Sequence, residues 1–423
     1  DRRVLFRRPT RLIPFGLHTM WRRSDSSSRG VFVSLVFLSG SGLNNGICCR
    51  AAADMKKLSL FDFAVELVRE SQQRSAAECL VARRHVFPAG AHRAGFASGV
   101  HVVVNALSLA LLQGRVFTFE DKHGCSSATA GHTVDIACAM AELYRAPTNC
   151  SAGAGKADVT RAQGAGRFKL SPQTLAKASD SGIGLKLNGR LRRVPAFFWA
   201  SVLASYLLQP KPCVAEALAA LEGKVVGDAS RALAVHARFK DKGVEALLHE
   251  PGEYAEAASA LVTQNGYAAV FICSDDLTRA KQIRKAILSR HPVQVVVVGD
   301  AEHSSSSCGG SAVKVATEIA LMAKAHAVVG TLSSNVGRLV HELRAARTLR
   351  SMPLEEDDAP LNAPSFFDLD GLAASWLAGD GEVENGIRGF WLHYALQHSL
   401  RCRFASIHSH SAKCDEATST KPP

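Results

Sequence analysis

Residues 268–300 read "AAVFICSDDLTRAKQIRKAILSRHPVQVVVVGD", and the fold class follows from this stretch. Apolar residues run almost unbroken through 268–274 and again through 293–300. Between them, at 277–290, apolar positions fall at helical spacing among polar ones. Strands that are apolar on both faces need cover on both faces, the condition of a parallel sheet flanked by helices. The runs "ALAVHA" (232–237) and "AVVGTL" (327–332) repeat the strand pattern, and helical segments near 252–264, 311–325 and 334–347 separate or follow them. The expected architecture is α/β, with a doubly wound, Rossmann-like parallel sheet in a C-terminal lobe.

Working outward, residues 60–83 carry helical periodicity and 100–112 form a dense apolar run. "RVFTFED" (115–121) then alternates as a strand does. This is a first α/β lobe. From 146 to about 191 the composition shifts to Gly, Ser, Ala and Lys without periodicity, which predicts a long loop. "FFWASVLASYLL" (197–208) predicts a helix stopped by Pro210 and Pro212. The 423 residues suit two lobes. The expected division is 1–58, a basic targeting segment; 59–191, the first lobe with its loop; 192–385, the Rossmann-like lobe; and 386–423, a tail.

The net charge of +12 invites a nucleic-acid reading. Residues 1–30, however, hold eight Arg against two Asp. The other charges are spread thinly, no basic helix is expected, and no aromatic residues are interleaved with the cations, so nucleic acid is not an expected partner. Beginning at Met20, a cationic stretch precedes the apolar run Val31–Leu38, the layout of a secretory signal or short signal anchor. The eleven cysteines contain no CxxC pair, and Asn149-Cys150-Ser151 is a glycosylation sequon; both fit an oxidising compartment.

In open α/β sheets ligands bind beyond the carboxyl ends of the strands. Those ends here carry "HARFKDK" (236–242), "SDD" (274–276) and "TLSSN" (331–335). Hydroxyl residues at a helix start cap backbone amides, and the same amides hold phosphate. Arg238 offers a guanidinium that forks onto phosphate oxygens. Asp275 and Asp276 suit metal binding, orientation of a lysine, or capping of the next helix. Lys242 and Glu245 form either a local ion pair or a carboxylate base tuned by a lysine. No GxGxxG follows a strand, and "GAGKAD" (153–158) lacks the P-loop hydroxyl, so neither a nicotinamide enzyme nor a P-loop protein is indicated. "DLD" (368–370) matches a metal-binding DxD pattern, but three residues recur by chance, and the late histidines lack a metal-ligand spacing.

Five stretches occur in the order and approximate spacing of a known family: "AGFASGVHVVVNALSLALLQGRVFTFE" (94–120), "FFWASVLASYLLQPKP" (197–212), "AVHARFKDKGVEALLHEPGEY" (234–254), "VFICSDD" (270–276) and "VVGTLSSNVGRLVHEL" (328–343). The chain thereby resembles the eukaryotic alpha-1,6-fucosyltransferases, glycosyltransferase family 23. The resemblance implies a two-lobed, GT-B-like fold and inverting transfer of fucose from GDP-fucose to a glycan, α-1,6 to the core N-acetylglucosamine of an N-glycan. It implies no metal or cofactor, and residence in the Golgi. Carried over position by position, His236 and Glu318 would contact guanine, Arg238 the β-phosphate, and Ser333, Ser334 and Asn335 the diphosphate pocket. Asp241, Asp275 and Asp276 would lie on the acceptor side, with Glu245 as base and Lys242 as its relay. The chain departs from the family at Phe239, where a second arginine is usual, at Glu318 in place of Asp, at Asn335 in place of Gln, and in a Lys242-to-Glu245 spacing shorter by one. These departures motivate the alternative of an inactive GDP-sugar-binding protein with the same fold.

Overall fold

A computed structural model describes residues 33–36, 59–89, 93–112, 114–120, 134–150, 159–161, 184–187, 190–193, 196–240, 248–300, 311–350 and 366–369. The first part of the chain forms β1 (Val33–Val36), α1 (Leu60–Gln72), α2 (Ala76–Val81), β2 (Arg84–Phe87), β3 (Arg93–Ala94), α3 (Phe96–Leu112), β4 (Val116–Phe119), β5 (Val134–Asp135) and α4 (Ile136–Leu143). Next come β6 (Val159–Arg161), β7 (Gly184–Leu187) and β8 (Arg190–Arg193).

The periodic stretch 60–83 is two helices rather than one. Ser59 caps α1 through Asp62 N, and Ser75 opens α2 in a capping box with Glu78. The break between them is held from outside the helices. Thr148 Oγ1 donates to Gln72 O at 2.5 Å, and the Asn149 amide accepts from Arg74 N (2.9 Å) and donates to Arg74 O (2.6 Å). The Cys79–Cys150 disulfide ties the same segments together.

Strands β4, β2 and β6 form a parallel sheet in that order. The loop expected over 146–191 is therefore partly wrong: it contributes β6 to this sheet, and β7 pairs antiparallel with both β1 and β8. Strands of three or four residues are too short to display a periodicity. Val33–Val36, inside the run read as a targeting segment, is β1. Among the described residues no helix is long and apolar enough to cross a membrane.

The second part runs α5 (Ala196–Leu207), α6 (Pro212–Val225), β9 (Leu233–Ala237), α7 (Pro251–Asn265), β10 (Ala269–Ser274), α8 (Leu277–Leu288), β11 (Gln294–Val297), α9 (Ser311–Lys324), β12 (Ala327–Gly330), α10 (Asn335–Arg350) and β13 (Phe366–Asp368). Its five strands are all parallel, in the order β11-β10-β9-β12-β13. Alternate residues face opposite ways. Leu233, Val235, Ala237, Val270 and Ile272 pack with α7 and α8, whereas Ala234, Phe271, Cys273 and Val328 pack towards α6, α9 and α10. Burial on both faces is why these strands are nearly all apolar.

The second of these cores also takes in α1, α3, α4 and α5, so one apolar cluster links the first part of the chain to the five-stranded sheet. Gly99 on α3 belongs to that packing. A Cβ there would lie 2.7 Å from Ile136 Cγ1.

The expectation of no basic helix is wrong. Residues 277–291 hold five Lys and Arg and no Asp or Glu, and α8 places Lys281, Arg284 and Lys285 at exposed positions. Counting charge along the chain hides this, because the neighbouring α7 carries Glu253 and Glu256 and no cation.

Candidate functional site

The order β11-β10-β9-β12-β13 is 3-2-1-4-5 in sequence. Connections from β9 and from β12 leave in opposite directions, so the crevice of a doubly wound sheet lies between their carboxyl ends. Two segments end there: His236 to Lys240 at the end of β9, and Thr331 to Asn335 from β12 into α10.

His236 is the fourth residue of β9, buried and beside Cys273 in the register. Burial pushes its imidazole down to about 4; Arg238 adds to the fall and Asp275 opposes it. The ring is neutral near pH 7. Glu318 on α9 lies close enough to the Cys273 thiol for its charge to help raise that group, itself pushed up mainly by burial. Burial likewise raises the Glu318 carboxyl to about 7, against the pull of Lys314. His236, Cys273 and Glu318 thus share the face of the sheet turned towards α9.

Arg238 follows the strand. Its Nε lies 3.2 Å from Asp275 Oδ2, an ion pair without hydrogen-bond alignment. Asp275 also accepts from Phe239 N at 2.9 Å (Oδ1) and Lys240 N at 3.2 Å (Oδ2). One carboxylate therefore fixes both the turn after β9 and the direction of the guanidinium. Asp276, one residue on, has a different job: it caps α8 by accepting from Arg279 N at 3.1 Å.

Phe239 turns into the core. It is 4% exposed, edge-on to Tyr254, with the Arg279 guanidinium 5.0 Å above its ring.

At the neighbouring strand end Ser334 is the cap position of α10, since its carbonyl takes the Arg338 N–H at 3.0 Å. Ser334 is buried and Ser333 half-buried. Arg338, in the first turn, folds back to donate to Leu332 O (3.3 Å) and Asn335 Oδ1. A cation there opposes the helix dipole by about 0.3–1 kcal/mol unless an anion joins it. Sequence reasoning did not single out Arg338; its place in the first turn was the available signal.

Asp241, Lys242 and Glu245 lie outside the described residues, as does Asp370 of "DLD". Asp368 ends the edge strand β13, opposite Gly330. Among the described residues no three His, Cys, Asp or Glu are grouped so as to hold a metal ion.

No protein-family model matches the chain, and no curated protein does. Solved structures resemble it distantly. FUT1 of Arabidopsis thaliana with GDP aligns at 12% identity and a TM-score of 0.42, over 73% of this chain and 84% of that one. POFUT1 with GDP-fucose aligns at 14% and 0.37, over 67% and 98%; in another crystal form the match spans about half of that chain, 49%, and 40% of this one. The fucosyltransferase NodZ from Bradyrhizobium aligns at 13% and 0.35, over 62% and 92%. Likenesses at these TM-scores carry no argument about chemistry.

Proposed function

We propose that the chain is an inverting fucosyltransferase using GDP-fucose and a glycan acceptor, in the α-1,6 manner on an N-glycan core, within the secretory pathway and without a metal ion. The observation that carries this is the convergence of Arg238 and the capped start of α10 at the switch point of the parallel sheet. Both elements favour an anion. The ion pair to Asp275 holds the guanidinium at the strand end, where it would attract a diphosphate, and Ser333, Ser334 and Asn335 supply hydroxyl, amide and helix-end donors. As the sugar–phosphate bond breaks, charge grows on the departing GDP, and contacts that strengthen then lower the barrier. Glu245 would take the proton of the acceptor hydroxyl, with Lys242 as relay. The buried, neutral His236, together with Glu318, whose carboxyl is raised to about 7, would meet the base of the nucleotide. The Cys79–Cys150 bridge supports an oxidising compartment.

The test is calorimetric titration of GDP and GDP-fucose with EDTA present, followed by a transfer assay on an N-glycan core. Metal-free binding weakened tenfold or more by Arg238→Ala, about 1.4 kcal/mol or above, is expected, with transfer abolished in Glu245→Gln while GDP still binds. No binding by the folded protein overturns the proposal.

The burial of Phe239 favours a second reading, a GDP-sugar-binding protein without turnover, because the turn then holds one arginine rather than two. GDP binding without transfer to any glycan in a screen would select it.

A further inference from the structure

We propose that the outward face of α8 is a docking surface for a linear sulfated glycan chain. The inner face of this helix is fixed in the core by Ala280, Ile283 and Ile287. Leu277, Lys281, Arg284, Lys285 and Leu288 form one stripe at helical spacing, about a third of a turn round from those residues, all exposed, along about 16 Å of axis. Arg290, also exposed, extends the stripe past the helix end. No Asp or Glu interrupts 277–291, and among the described residues no carboxylate pairs with Arg284, Lys285 or Arg290.

The shape of the charge selects the partner. The helix packed alongside, α7, presents exposed Glu253 and Glu256 and no cation. A flat anionic bilayer resting on this face would meet those carboxylates together with the lysines. A narrow polyanion lying along α8 meets the cations alone. The stripe holds no aromatic side chain on which a nucleic-acid base could stack, whereas sulfate groups need only charge and hydrogen-bond donors. Leu288, exposed at the far end, offers apolar surface to the carbon face of a sugar ring. Two strand ends separate this surface from the crevice between β9 and β12: α8 covers the β10–β11 side of the sheet.

The probe is a heparin oligosaccharide, titrated into the full chain across a salt series. Arg284→Glu/Lys285→Glu is compared with Arg83→Glu/Arg145→Glu, which removes the same net charge at exposed positions of the first part of the chain. The α8 pair is expected to weaken binding roughly tenfold or more and to lower the salt slope by about two. The control pair should leave both near wild type. Thermal melts check that each variant folds, and Arg284→Gln/Lys285→Gln replaces the charge reversal should that variant not fold. Equal losses in the two pairs would mean that net charge alone attracts heparin, and would overturn the proposal. So would binding to phosphatidylserine vesicles or to a single-stranded oligonucleotide as tight, and as sensitive to the α8 pair, as binding to heparin.

Discussion

Replacing Asp275 and Asp276 one at a time separates the two jobs that the structure gives to adjacent carboxylates. In Asp275→Ala, the N–H groups of Phe239 and Lys240 lose their acceptor and Arg238 loses its ion pair. Lys240 is exposed, and water replaces that bond. The Phe239 N–H sits beside a side chain packed in the core, so leaving it unpaired costs about 1–3 kcal/mol. The partly exposed ion pair adds about 0.5–1 kcal/mol after solvent screening. Together they lower the melting temperature by roughly 5 °C in a chain of this size. Arg238 also loses one of the contacts that orient it, and restoring that order on binding costs about 0.5–1.5 kcal/mol, so GDP should bind roughly three- to tenfold more weakly. Asp276→Ala loses only the helix cap, about 1 kcal/mol, and should bind GDP as the parent does. Melting curves and GDP calorimetry on both variants decide the matter. Equal loss of GDP affinity in the two, or unchanged stability and affinity in Asp275→Ala, would refute the division of labour.

Burial holds His85, His236 and His341 at about 4, below the unfolded value of 6.5. As pH falls, the unfolded chain binds protons first, so stability is full above about pH 6.5 and is lost towards pH 4. Denaturant titrations should show that slope, and His85→Phe, which keeps the ring against Phe117, should flatten it; an unchanged slope would count against the assignment. Glu318, raised from 4.5 to about 7, acts the other way: its contribution is full below about pH 4.5 and lost as pH rises through 7, so Glu318→Gln should gain stability relative to the parent at alkaline pH. Opening the Cys79–Cys150 bridge, which spans 71 residues, should cost about 4 kcal/mol; equal denaturation midpoints for the parent and Cys79→Ser/Cys150→Ser would contradict this. Gly99→Ala should destabilise by about 1–3 kcal/mol because its Cβ meets Ile136, with partial recovery in Gly99→Ala/Ile136→Val.

Four strands of the five-stranded sheet were legible because they are buried on both faces and leave continuous apolar runs, as in Val270–Cys273, whereas the short edge strand β13, with Phe367 exposed, leaves none. The first sheet was harder. Strand β2 is four residues long and begins with Arg84 and His85, yet both are buried. Arg84 is tolerated there because Nη2 donates to Cys79 O at 2.6 Å, a contact between α2 and β2 that no local pattern announces. The same limit hid the break after α1, where the backbone partners at Gln72 and Arg74 come from Thr148 and Asn149, more than seventy residues away.

The candidate site divides along the same line. Strand ends can be found from apolar runs, and so His236, Arg238, Ser333 and Ser334 could be named from sequence. Which two strand ends face each other depends on strand order, and that depends on the path of each crossover rather than on any single residue. Asp275 and Asp276 are the same side chain in the same tripeptide; their roles part because one reaches back to the turn after β9 while the other closes on its own helix. The basic stripe makes the converse point. Its cations are plain in the sequence, but a sum along the chain mixes them with the acids of α7, and only the helical winding sorts the two signs onto neighbouring surfaces. Charge acts through its place on the surface, and at this helix that place is set by Ala280, Ile283 and Ile287, the residues that turn its other side into the core.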